Sequence, residues 1–201
     1  MVWKRIRQSL RSQREAETFR AAPAALATLR AQAATGQGDL YYYAAAGFSL
    51  PPCVPYAWQP IGQTLEVPAA HGPRLNGLAF LGLHHQFHPF VFAGTLDTPI
   101  VSRCFDSLSQ LITKPTLVVI DNASTHTSGE FATRIETWAQ RGLSLKFLSP
   151  YCPELNLIEI LWRKIKYEWL PLSAYTSFQA LARALDDVLI QVGSKYRINF
   201  A

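Results

Sequence analysis

The chain has 201 residues, of which 49% are hydrophobic, 12% aromatic and only 16% charged. This excludes intrinsic disorder and provides apolar surface for one well-packed domain. Charged residues such as Arg20, Arg30, Asp39, Arg74, Asp97 and Lys114 interrupt every apolar stretch, so no membrane span is predicted. The formal charge is +5, and the three cysteines, Cys53, Cys104 and Cys152, form no C-x-x-C pair; a disulfide framework and a zinc ribbon are thereby excluded, and a reducing cytoplasm fits.

Residues 1–38 are predicted as a basic helical arm and 39–201 as one domain. In the arm, Trp3, Ile6 and Leu10 recur at helical spacing, alanine dominates the stretch to Ala34, and Gly36 and Gly38 close the segment, with Pro23 a predicted break. Lys4, Arg5, Arg7, Arg11, Arg14 and Arg20 outnumber Glu15 and Glu17 there. The charge suits a polyanionic partner or, equally, the solvated face of an amphipathic helix. A signal peptide is disfavoured because Pro23, Arg30 and the weak apolarity of alanine make a poor hydrophobic segment.

From Asp39 the pattern changes to short β-rich runs, Leu40 to Ala44, Gln63 to Val67, Leu75 to Leu83 and Phe87 to Leu96, parted by prolines and glycines. They predict an antiparallel meander. His84, His85 and His88 lie among them, and without a fourth ligand nearby they read as strand histidines rather than a metal site. After Pro99 helices and strands alternate: a helix at Ile100 to Ile112, a strand at Thr116 to Ile120, a helix at Glu130 to Arg141 and a strand at Leu143 to Leu148. Thr127 with Glu130 forms a capping box, Asn156 with Glu159 resembles one, and Thr176 with Gln179 opens the last helix. Ile158, Leu161, Trp162, Ile165 and Trp169 form one buried helix face that Pro171 terminates, and Phe178, Leu181, Leu185 and Val188 form another, running toward Gly193. A strand meander followed by βα units is the order of an α/β fold of the ribonuclease H-like type, a mixed sheet whose first strand neighbours the fourth, flanked by helices.

Asp121 ends a buried apolar strand, so its carboxylate emerges at the carboxyl end, where α/β sheets place their ligands. It also reads as an ordinary turn aspartate beside Asn122 and Ser124. Glu159, 37 residues further on, starts the helix after the next strand; it reads either as a cap or as a partner for Asp121 across the sheet.

The stretches VVIDNASTHTS and SPYCPELNLIEILWRKIK resemble the second and third acidic motifs of bacterial insertion-sequence transposases related to the mariner group, in the DDE superfamily. GFSLPPCVPYAWQPIGQT is similar to the segment after that family's first acidic motif, and WKRIRQSLRSQREAETF to the linker helix before its catalytic domain. The resemblance implies a nuclease and strand-transferase in which three carboxylates hold two divalent cations, magnesium or manganese. Such a pair clamps the entering and departing oxygens of a phosphodiester, and hard cations of this kind take oxygen ligands. Carried over by position, Asp121 is the second acid and Glu159 the third. The first acid falls at Ala44, and the glutamate that follows it at Ala45. A methyl group coordinates no cation, so the resemblance implies metal binding weakened or lost and a domain inactive as written. The alternative it implies is a non-catalytic remnant that holds DNA or a sister transposase. Asp39, five residues upstream, points to the opposite face near the other strand end and does not replace the missing acid.

Implied partners are double-stranded DNA at element ends and target and a second copy of the chain, in the bacterial cytoplasm at the nucleoid; neither a membrane nor a small-molecule substrate is implied. The helix-turn-helix region that precedes the linker in full-length relatives is not matched, as the chain starts at about the linker. Arg163 and Lys166 share one side of the Glu159 helix, with Lys164 near them. They read either as a phosphate grip, joined by Lys4, Arg5 and Arg7 of the arm, or as a solvated polar face. Trp58, Trp162 and Trp169 are read as core residues in preference to base-stacking ones.

Overall fold

The computed structural model describes residues 16–53, 58–64, 66, 72–84, 86–126, 128–149 and 152–198. Lys4, Arg5, Arg7, Thr127 and His85 lie outside the described residues. Among the described residues no helix is long and apolar enough to cross a membrane.

Five strands form one mixed sheet: β1 (Asp39–Phe48), β2 (Leu75–Gly82), β3 (Phe87–Ala93), β4 (Thr116–Ile120) and β5 (Leu143–Phe147), in the order β3-β2-β1-β4-β5. β1 to β3 are the antiparallel meander. β4 pairs in parallel with both β1 and β5, so the first strand neighbours the fourth, as a ribonuclease H-like sheet requires. The helices are α1 (Ala16–Ala34), α2 (Thr98–Leu111), α3 (Gly129–Gln140), α4 (Ile158–Lys164) and α5 (Phe178–Ile190).

Both faces of the sheet are covered, and alternation along β1 divides the core in two. Tyr42, Ala44, Ala46 and Phe48 face a cluster with Leu26 of α1, Ile158, Leu161 and Trp162 of α4, and Leu181 and Leu185 of α5. Tyr41 and Tyr43 face the other cluster, with Phe105 and Leu108 of α2 and Phe131 and Trp138 of α3. A central strand buried on two sides reads as a continuous apolar run rather than an alternating one, which is why Leu40 to Ala46 contains no charged residue.

The strand boundaries differ from the sequence reading where tertiary pairing decides them. β1 continues past Ala44 to Phe48 because β2 pairs with it without interruption from Tyr41↔Gly82 to Phe48↔Leu75. The small residues there have a packing reason: a Cβ added at Gly77, the partner of Ala46, would meet Trp162 Cη2 at 3.2 Å and Phe48 Cε2 at 3.3 Å. Of the predicted run Gln63 to Val67, the described residues Gln63, Thr64 and Glu66 form no strand, and β1 pairs directly with β2, while Leu65 and Val67 lie outside the described residues. β3 stops at Ala93, before Gly94 with φ 110°. α1 runs through Pro23, since the half that follows it is anchored by buried Leu26 and by Arg30 Nε, which donates to Tyr42 Oη at 2.9 Å.

Helix starts are displaced by one or two residues. Asp97 Oδ1 caps α2 by accepting from the Ile100 amide at 3.0 Å. Ser128 Oγ caps α3, accepting from Phe131 N at 3.2 Å. Ser177, not Thr176, caps α5, because the Thr176 hydroxyl donates backward to the Ser173 carbonyl. α4 passes directly into a π-helical turn at Ile165–Trp169. Trp162 is buried and Trp169 lies against Tyr196 with ring centroids 4.7 Å apart, whereas Trp58 is fully exposed rather than a core residue.

Trp138 joins α2 to α3: its indole stacks on Phe105 at 5.1 Å, and Nε1 donates to Asp106 Oδ1 at 2.8 Å. Trp138→Ala is expected to cost ~3–5 kcal/mol in urea unfolding; an unchanged midpoint would show that this face of the sheet is not tightly packed.

Candidate functional site

Asp121 leaves the carboxyl end of β4 into a turn that its own side chain organises. Oδ1 accepts from the Ala123 amide at 3.2 Å and from His126 Nδ1 at 2.8 Å, and the His126 amide closes the turn on the Ala123 carbonyl at 2.9 Å. The turn role read from sequence is therefore present, together with a bond to a buried histidine that the sequence reading did not single out. Asn122 Nδ2 donates to the Leu148 carbonyl, and the Leu148 amide donates to Ile120 O at 2.8 Å, so β4 and β5 leave the sheet side by side.

Glu159 stands on the first turn of α4. Asn156 is not a side-chain cap for this helix: its Nδ2 donates to the Tyr43 carbonyl of β1 at 2.9 Å. That bond ties the start of α4 to the residue preceding Ala44. The β1–β4 register ends at Tyr42↔Val119, and continued two residues in parallel it sets Ala44 opposite Asp121. Ala44 is 2% exposed, in the core cluster that includes Ile158 and Trp162 of α4.

Asp121, Asn122, Leu148, Cys152, Asn156 and Glu159 line one open cleft of about 360 Å³. A second cavity of about 390 Å³ lies at the opposite end of the parallel strands, beside Asp39 and Pro115. Asp39 is ion-paired there with Lys114 at 3.3 Å, remote from the acid pair. Further along the helix that Glu159 opens, Arg163 is exposed, Lys164 Nζ is paired with Glu168 Oε2 at 2.6 Å, and Lys166 Nζ lies 5.4 Å from the centre of the Phe48 ring.

The two acids are electrostatically different. Burial by itself raises the Asp121 carboxyl, but the His126 hydrogen bond and charge and the Ala123 amide outweigh it and hold the group below its usual 3.8. Glu159 is raised above its usual 4.5, first by burial, then by the Asp121 charge, with Lys166 opposing. The two acids repel each other across the cleft, and a divalent cation between them would relieve that repulsion.

Among the described residues no group of three or more His, Cys, Asp or Glu side chains could hold a metal ion. Asp121 and Glu159 are hard oxygen donors, and beside them the buried Asn156 Oδ1 has no hydrogen-bond partner. This set fits one divalent cation of the magnesium kind. Two carboxylates would be a sparse donor set for a second such cation.

A raised carboxyl makes ionised Glu159 destabilising in the cation-free protein. Glu159→Gln is therefore expected to raise the thermal midpoint at neutral pH in chelator-treated buffer. The gain is absent below pH 4.5, the usual glutamate value, where folded and unfolded forms are both protonated, and it grows as pH rises through the higher folded value. Thermal melts across this range check it; a loss of stability at every pH would contradict the repulsion.

Comparison with solved structures places the fold. The chain is similar to the Mos1 transposase in its paired-end complex with the left transposon end (TM-score 0.61, 13% identity, covering 94% of this chain and 59% of that one). It is similar to the catalytic domain of Mos1 mariner transposase (TM-score 0.56, 11% identity, 94% and 85% covered). A chain of the simian T-cell lymphotropic virus intasome in complex with PP2A regulatory subunit B56 gamma also matches (TM-score 0.53, 10% identity, 81% and 50% covered). At such identities these likenesses concern the fold, and this chain spans about three fifths of the Mos1 chain in the paired-end complex. No curated protein matches the sequence at a significant level. Residues 39–182 match the family model of the DDE superfamily endonucleases, and the chain belongs to that family.

Proposed function

We propose that this chain is the catalytic domain of a DDE transposase of the bacterial insertion-sequence type, which grips DNA at element ends and target and does not cut it as written. The observation that carries the reading is that Asp121 and Glu159 line one cleft, beside which the β1–β4 register, continued two residues beyond Tyr42↔Val119, sets Ala44 opposite Asp121. Family membership and the Mos1 complexes, one with a transposon end, one a strand transfer complex and one with Mn, support DNA as partner and a divalent metal as cofactor.

In this site Asp121 and Glu159 would hold one divalent cation, with Asn156 Oδ1 as the neutral oxygen donor beside them. Such a cation would neutralise charge on a phosphate at the cleft. Arg163 and Lys166 flank that position on the Glu159 helix and meet the DNA backbone without reading bases. The two-ion clamp that stabilises both oxygens of a phosphodiester lacks its shared ligand, so strand cleavage and strand transfer are lost. A second copy of the chain, bound to a paired end, completes the expected assembly.

Plasmid nicking in magnesium or manganese tests the reading. Ala44→Asp, alone and with Ala45→Glu, is expected to cut at least ~100-fold faster than the chain as written, since loss of a direct ligand exceeds the ~10–100-fold typical of outer-shell changes. Nicking by the unmodified chain at the same rate as the restored one would overturn the assignment of residue 44. Arg163→Ala is expected to weaken DNA binding alike on unrelated sequences and to lower the slope of log K against log salt by about one; an unchanged salt slope would remove Arg163 from the interface.

A further inference from the structure

His126 is the buried polar group nearest the acids that the proposed chemistry does not use. Its side chain is 4% exposed, against 51% for Asp121. The ring meets Tyr43 edge-on, with centroids 5.4 Å apart, and lies 5.9 Å from the Phe131 ring. A phenyl ring would fill such a pocket with no polar atom to satisfy, so packing does not account for an imidazole there. The bond to Asp121 does. A carboxylate only accepts, so His126 Nδ1 carries the proton and donates to Oδ1. With Ala123 N also on Oδ1, Oδ2 has no protein partner among the described residues.

Tyr43 connects this bond to the other acid. Its ring walls His126, and its carbonyl accepts from Asn156, one helical turn ahead of Glu159. Both acids are thus braced against the β1 residue that precedes Ala44, and the brace is intact although residue 44 carries no carboxylate.

We propose that His126 is a positioning residue for Asp121: its Nδ1–H holds the carboxylate by Oδ1 so that Oδ2 is the oxygen offered to a divalent cation in the cleft. The proposal rests on the reading of the cleft as a cation site. Outer partners of metal-bound side chains fix orientation, and their removal typically costs ~10–100-fold in metal affinity.

Two variants separate positioning from packing. His126→Phe keeps the ring and loses the donor; His126→Asn keeps an N–H near the Nδ1 position and loses the ring. In the Ala44→Asp background, Mn2+ titration followed by electron paramagnetic resonance is expected to show affinity weakened ~10–100-fold by His126→Phe and largely kept by His126→Asn. Equal affinity in all three proteins, or the reverse order, overturns the proposal and leaves the cation-site reading standing. Should Ala44→Asp itself fail to tighten Mn2+ binding, it is the reading of residue 44 that fails. Nitrogen-15 NMR of the unmodified chain then decides the histidine alone: a slowly exchanging proton on Nδ1 supports the bond to Asp121, and a neutral ring protonated only on Nε2 overturns it.

Discussion

Parallel pairing between β1 and β4 is the constraint on which the cleft depends. Four consecutive Cα pairs, from Asp39↔Thr116 to Tyr42↔Val119, lock the two strands in register. A parallel ladder brings both carboxyl ends to the same edge of the sheet. What leaves β4 after Ile120 therefore emerges beside the middle of β1, which runs on to Phe48 along β2. α4 reaches the same place because Trp162 packs over the small Ala46–Gly77 pair and Asn156 bonds to Tyr43 O. A one-residue slip of β1 against β4 would turn every β1 side chain to the other face and part residue 44 from Asp121.

The cleft concentrates features that oppose stability. Two carboxylates repel across it, Glu159 is raised by burial, and Asn156 Oδ1 is buried with no partner. Each is costly in a protein without ligand, and sites of this sort are commonly retained at the expense of stability. The surrounding core supports them: Tyr42, Tyr43, Phe80, Phe105 and Trp138 are fully buried.

Much of the fold was legible because local pattern and tertiary demand agreed. Thr116–Ile120 is a short β-branched run, and both its strand and its buried position follow from that; the aspartate behind it then had to lie at a strand end. Gln63, Thr64 and Glu66 show how far such a pattern reaches: alternation makes a strand only where another strand lies alongside. The alanines of β1 show the converse, since weak strand formers were drawn into the sheet by β2. Asn156 resembled a helix cap because the residue that accepts its side chain's bond lies 113 positions away.

The sequence by itself determined the alternation of elements, the placing of Asp121 at a strand end and Glu159 at a helix start, and the apolar faces that hold the sheet between helices. These follow from residue type and from periodicities of two and 3.6, which are local properties. Only the tertiary structure decided that His126 grips Asp121 and that Asn156 braces α4 on β1. Those depend on hydrogen-bond geometry within about 3 Å, between groups whose approach is set by strand register and helix packing rather than by their neighbours in the chain.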